Sequence, residues 1–177
     1  MGKQLNVNIP TPFLHPLFFK ESGQEFELHD ESLETLVDLP FIYDIAHCLS
    51  IETNKPWEER EQTVAYLLSR WFESKNLLRE LFGNRRRNEA KPIMSTNIAA
   101  FIMALNWTNK KPVTTLTNWK DALGTLEIKP VNCLERLEYI INSPDHYHSY
   151  LQLVELFEEL NKQYQLSIMK EKSSLRT

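Results

Sequence analysis

The sequence predicts an all-α protein, a single-domain bundle of about five to seven helices with an extended N-terminal strap. Three observations lead there. Glycine is scarce, 4 residues in 177, where average usage would supply roughly a dozen. Sheet turns, barrels and phosphate-cradling loops all draw on glycine for positive φ. Apolar residues recur at spacings of three and four through most of the chain. Finally, Ile98 to Leu105 is an unbroken apolar run, which a helix tolerates only when it is buried on most sides.

The elements follow in order. Pro10, Pro12 and Pro16 hold the first segment extended or turned, and Phe13, Leu14, Leu17, Phe18 and Phe19 make it an apolar strap, residues 1–29, ending in a polar loop. Asp30 to Ser50 reads as two short helices parted at Pro40, with apolar edges from Leu33, Leu36 and Val37 and from Phe41, Ile42, Ile45 and Leu49. A long helix begins near Pro56, where proline and Glu58, Glu59 and Glu61 suit a first turn. Its stripe runs from Val64 through Trp71 to Phe82, and Arg85, Arg86 and Arg87 then sit near its C-terminal end, beside Gly83. Ser95 or Thr96 caps the next helix, the central one, which runs to about Trp107. A short helix over Leu116–Leu123 ends at Gly124. Asn132 and Glu135 have capping-box spacing ahead of a helix bearing Leu134, Leu137, Ile140 and Ile141. Ser143-Pro144 opens the last helix, and residues 170–177 read as a frayed tail. No repeat, low-complexity tract or linker divides residues 1–177, so they read as one helical domain.

Charge and composition narrow the function classes. Basic residues number 20 and acidic residues 24, giving a net charge of −4. With 42% hydrophobic residues, the chain falls outside the collagen-like, disordered and disulfide-scaffold classes. Cys48 and Cys133 belong to no C-x-x-C, which excludes a zinc ribbon, and each reads as a buried apolar thiol. The longest apolar run is far short of the roughly 20 residues that span a bilayer. The segment Met1 to Pro12 has no apolar signal core, so no membrane role and a cytoplasmic setting are expected. There is no G-x-G-x-x-G, Walker loop, G-x-S-x-G or H-E-x-x-H, and no cofactor is implied.

Several landmarks stand in series: Pro56-Trp57, Ala90-Lys91-Pro92, Pro112-Val113, Asn118-Trp119, Lys129-Pro130-Val131-Asn132, Glu135-Arg136-Leu137 and Pro144-x-His146-Tyr147-His148. Together they resemble the YpoC-like family of small bacterial proteins over roughly residues 40–165. The resemblance implies a helical cytosolic domain and carries no reaction and no site residue with it.

Two constellations carry candidate chemistry. Arg85-Arg86-Arg87 has no acid between Leu81 and Asn88, and consecutive helical residues fan out over about 200°, so all three cannot share one carboxylate. Such a run suits carboxylate or phosphate recognition, against the bland reading of a solvated helix end that complements the dipole. The second is Asp145-His146-Tyr147-His148, whose histidines lie about 200° apart on a helix and so need ligands from elsewhere, with Asp44 and His47 as the offered partners. Against it stand the missing third and fourth ligands of an ordinary metal site. His47 and Cys48 are adjacent and point apart, so no Cys–His nucleophile forms. The four tryptophans, Trp57, Trp71, Trp107 and Trp119, read as core anchors with bonded indole N–H groups.

The resulting expectation is a non-enzymatic interaction or adaptor protein with a protein partner. The alternative is a nucleic-acid-associated protein using Arg85–Arg87. The second alternative is a metal-dependent enzyme using His146 or His148.

Overall fold

The computed structural model describes residues 7–23, 26 and 32–176. Within them the chain forms a 3-10 turn, Thr11–Phe13, and seven α-helices: α1 (Thr35–Asp38), α2 (Ile42–Cys48), α3 (Arg60–Gly83), α4 (Arg87–Thr108), α5 (Trp119–Gly124), α6 (Cys133–Asn142) and α7 (Tyr147–Ser174). No strand forms among the described residues; a single bridge pairs His15 with Phe19. The protein is all-α, and the helices make one packed body.

The apolar run becomes the axis of that body. Every residue from Asn97 to Thr108 is buried, with α3, α7 and α1 packed around α4. Three rings fix the crossing of α3, α4 and α7. Trp71 stacks on Phe157 at 4.4 Å between centroids, and Phe101 meets the same Phe157 edge-on at 5.2 Å. The buried amides on α4 satisfy themselves one turn back: Asn97 donates to the Ile93 carbonyl and Asn106 to that of Ile102, both at 2.8 Å. A second layer, α6 with α5 beside it, packs on α7.

Several boundaries differ from the sequence expectation. The central helix starts at Arg87, two turns ahead of Ser95, and carries Pro92 inside it. Pro92 removes one helical bond, to the carbonyl of Asn88. That carbonyl lies in the exposed first turn, where water replaces the lost donor. In return the apolar face gains the buried Ala90 and Met94. Ser95 and Thr96 accordingly cap nothing, and their hydroxyls donate to the carbonyls of Lys91 and Pro92. Helix α3 starts at Arg60 rather than near Pro56, because Lys55–Glu59 forms a turn and the Thr63 hydroxyl donates to the Pro56 carbonyl at 2.7 Å. Asn132 precedes α6 in a left-handed conformation and makes no side-chain cap. Helix α7 starts at Tyr147, after a turn at Ser143 whose carbonyl accepts from the Ser149 hydroxyl. It stays helical to Ser174, past Lys170, and Lys172 pairs with Glu61 there at 2.8 Å. Cys48 is exposed, not buried as expected. Trp71 lacks the expected partner for its indole N–H, although its ring stacks on Phe157.

The helix ends explain the glycine shortage. Helices α2, α3 and α4 each close in a Schellman motif whose left-handed residue is Ser50, Arg85 or Lys110, with φ of 57°, 57° and 58°. In each, the next N–H reaches five residues back: Ile51 to Ala46, Arg86 to Leu81, Lys111 to Asn106. A side chain at such φ costs about 1–2 kcal/mol. Ser50→Gly should therefore raise the unfolding free energy by about 1 kcal/mol in chemical denaturation. No gain would show that the Ser50 side chain offsets its own strain.

The described part of the strap, including Val7, Ile9, Phe13 and Phe19, is buried against the helices. Most of the expected polar loop over 20–30 lies outside the described residues. Phe18 and Phe19 meet Phe41 edge-on at 5.4 and 6.2 Å. The Pro12 carbonyl accepts from the backbone N–H of Leu116 at 2.7 Å and of Thr117 at 3.0 Å. No described helix is long and apolar enough to cross a membrane.

Candidate functional site

The arginine run lies in a turn, not along the end of α3. Asn84 caps α3, Arg85 takes the left-handed position, Arg86 precedes α4 and Arg87 is its first residue. The run therefore abuts the positive end of α4, so the expected match to a helix C-terminal dipole holds for α3 and is reversed for α4. Glu89 relieves part of this. Arg86 donates to both its carboxylate oxygens, through Nε at 2.6 Å and through a second guanidinium nitrogen. The Glu89 carboxyl is held below, and the Arg86 guanidinium above, their ordinary pKa values by this bond. All three arginines are exposed, and among the described residues neither Arg85 nor Arg87 has a carboxylate partner.

Aromatic surface adjoins the turn. Phe82, one turn before Arg85, packs against Tyr147 and Tyr150 at 6.0 and 5.6 Å, and the two tyrosines stack at 5.8 Å. Tyr147 remains 50% exposed. Tyr150 donates its hydroxyl to the Lys75 carbonyl at 3.2 Å, and its pKa is raised by burial against the opposing charge of Arg79. The end of the molecule where α3 meets the start of α7 thus presents a half-exposed tyrosine packed on Phe82, and the turn that follows Phe82 carries Arg85 and Arg87.

The histidine element does not assemble. His146 flanks the start of α7 and makes no side-chain cap. His148 lies edge-on to Tyr139 at 5.2 Å, and His47 lies edge-on to Trp57 at 5.0 Å. Asp44 is inside the core at 1% exposure. Its Oδ1 accepts from the Trp107 indole N–H at 3.1 Å and from the Val113 backbone N–H at 2.7 Å, and its Oδ2 has no partner. Burial pushes this carboxyl up to about 7. Asp44 and His47 share a helix but not an environment, and among the described residues no group of three His, Cys, Asp or Glu side chains converges. The Cys133 thiol is pushed up to about 12 by burial and is inert as a nucleophile.

The sequence reading missed a charge cluster that closes the opposite end. Arg60 donates to the Thr108 carbonyl at 2.6 Å, to Ser167 at 3.0 Å and to Glu171 at 2.6 Å, and Lys110 bonds the other oxygen of Glu171. Lys110 and Arg60, in that order, hold the Glu171 carboxyl down to about 2. A cleft of about 630 Å³ lies over this cluster, and of its charged side chains Arg60 and Lys110 pair with Glu171 and Lys172 pairs with Glu61. The cluster joins α3, α4 and α7. Only the acid-base spacing between distant helices would have revealed it, and one sequence carries no such signal.

Comparison with known proteins agrees with the landmarks. The sequence model of the family described as YpoC-like protein matches residues 61–172. The uncharacterized protein YpoC of Bacillus subtilis (strain 168) is 30% identical over 132 residues, 74% of this chain and 79% of that protein. No solved structure matches the chain.

Proposed function

The chain belongs to the YpoC-like family, and from that premise we propose that it is a non-enzymatic interaction protein that holds an acidic protein partner on its basic corner. The observation that carries this reading is the pair Arg85 and Arg87, exposed and without a carboxylate partner among the described residues, in the turn that follows Phe82, whose ring packs on the half-exposed Tyr147. Arginine and tyrosine are the residue types enriched where protein interfaces take most of their energy. Arg85 also occupies a left-handed position that glycine would fill with less strain. A cytoplasmic setting suits its two free thiols.

A second reading, nucleic-acid association, draws on the same cations with Tyr147 as a stacking platform. The sequence carries no recognised nucleic-acid-binding motif, which weighs against it.

Replacing Arg85 and Arg87 together by Gln tests the reading. Stability should stay within about 1 kcal/mol, as for exposed positions. Retention on immobilised polyglutamate should fall, and its salt dependence should flatten. Retention equal to that of the native protein rejects the corner as the site. Stronger, competing retention on single-stranded DNA transfers the reading to nucleic acid.

A further inference from the structure

We infer that the cleft between the strap, α4 and the α6–α7 corner is a docking groove for an extended acidic peptide bearing an apolar side chain. The inference rests on the basic-corner reading and adds where the partner's chain runs. The cleft measures about 600 Å³. The strap contributes His15, Leu17 and Lys20 to its wall. Helix α4 contributes Lys91 and Ser95, and the corner contributes Ile141 and Pro144.

Its chemistry is one-sided. No described residue lining it is acidic, and neither Lys20 nor Lys91 has a hydrogen-bond or ion-pair partner among the described residues. The Nδ1 of His15 accepts the Leu17 backbone N–H at 3.1 Å, so the neutral ring carries its proton on Nε2 and is a donor there. Burial lowers the His15 pKa and favours that neutral form. The Ser95 hydroxyl is spent on the Lys91 carbonyl. What the cleft has to offer a ligand is therefore two ammonium groups, the His15 N–H and the Asn142 amide over an apolar floor of Leu17, Ile141 and Pro144. That set fits carboxylates flanking an apolar group. A phosphate backbone would leave the floor unused.

The groove continues the corner. Lys91 stands four residues after Arg87 in the same helix, on the same face and one turn of about 5.4 Å along the axis. Alternate residues of an extended peptide are roughly 6–7 Å apart on one side. A Glu-x-Glu strand thus sets one carboxylate on Arg87 and the next on Lys91, and delivers the second residue after that to the cleft floor.

The test uses the full chain and a labelled peptide, Glu-Ser-Glu-Ser-Leu-Ser, followed by fluorescence anisotropy. Lys20→Gln with Lys91→Gln should weaken binding about tenfold or more, with an unchanged melting temperature. Exchanging the peptide's Leu for Ser should weaken it comparably. Equal binding of the Leu and Ser peptides, full binding by the lysine variant, or no saturable binding of the peptide each overturns the groove. Sensitivity to Arg85→Gln and Arg87→Gln without sensitivity to the lysines leaves the corner reading standing and removes the groove. Sensitivity to the lysines alone does the reverse. Tighter binding of an oligothymidine that displaces the peptide overturns the peptide assignment.

Discussion

Phe157→Ala should lower the unfolding free energy by about 3–5 kcal/mol, at the upper end for a buried aromatic. Phe157 is the ring shared by two contacts, flat against Trp71 of α3 and edge-on to Phe101 of α4. Its loss removes the transfer energy of one ring, leaves a cavity and also strips Trp71 of its stacking partner. Trp71 has an unbonded indole N–H, so its orientation rests on packing alone. Urea denaturation of native protein and variant gives the difference directly. A cost below 1 kcal/mol would mean that α7 is not part of the central core, and the three-helix crossing would have to be rebuilt.

Asp44 should make stability depend on pH in a direction opposite to that of a salt-bridged acid. Its folded pKa, about 7, lies above the ordinary aspartate value of 3.8, chiefly through desolvation. The folded state therefore holds a proton that the unfolded chain releases first. The stability is fully present below the unfolded value, declines as pH rises through the window between the two, and levels off above the folded value. Between about pH 5 and about pH 9 the loss is of the order of 3 kcal/mol. Asp44→Asn keeps the oxygen that accepts from Trp107 and Val113 and cannot ionise. Its stability should be nearly flat over that range, with the variant overtaking the native protein at the alkaline end. Asp44→Ala leaves the Trp107 and Val113 N–H groups buried without an acceptor, and each costs about 1–3 kcal/mol at every pH. Parallel pH profiles for the native protein and Asp44→Asn would show that Asp44 stays ionised in the fold, with its second oxygen reached by water.

How much of this was written in the sequence varies with the physics of each feature. The central helix was legible because an all-apolar run between Asn97 and Asn106 has nowhere to go but the interior. The start of that helix was not, because Pro92 reads as a breaker, and only the buried Ala90 and Met94 show what the helix gains by running through it. The end of α3 beside Gly83 was legible, but the path of the arginines beyond it was not. Glycine marks a helix end only when it takes the left-handed position, and here Gly83 is still helical while Arg85 takes it. Of the candidate site, the exposure of the arginines followed from their spacing, whereas Glu89 as the partner of Arg86 lay just beyond the window considered. Asp44 was offered as a metal-ligand partner by its spacing from His47. Its burial depends on Trp107 and Val113, far off in sequence, and helical periodicity says nothing about such partners.

The docking of the strap on the 115–117 loop has a consequence for the chain as it is synthesised. The bonds between Thr11–Leu14 and Thr115–Thr117 join residues 103 to 106 positions apart, whereas α3 and α4 are neighbours joined by a tight turn. At about 5–20 residues per second, the Thr11–Leu14 turn with Phe13 leaves the ribosome roughly 5–20 s before the 115–117 loop exists. Over that interval the nascent chain carries an uncovered aromatic segment, a natural substrate for a chaperone, and the strap closes only after the local α3–α4 pair has formed. The groove edge contributed by His15, Leu17 and Lys20 then waits for Ile141 and Pro144, which follow the 115–117 loop in the chain, so the cleft is completed only once α6 has formed.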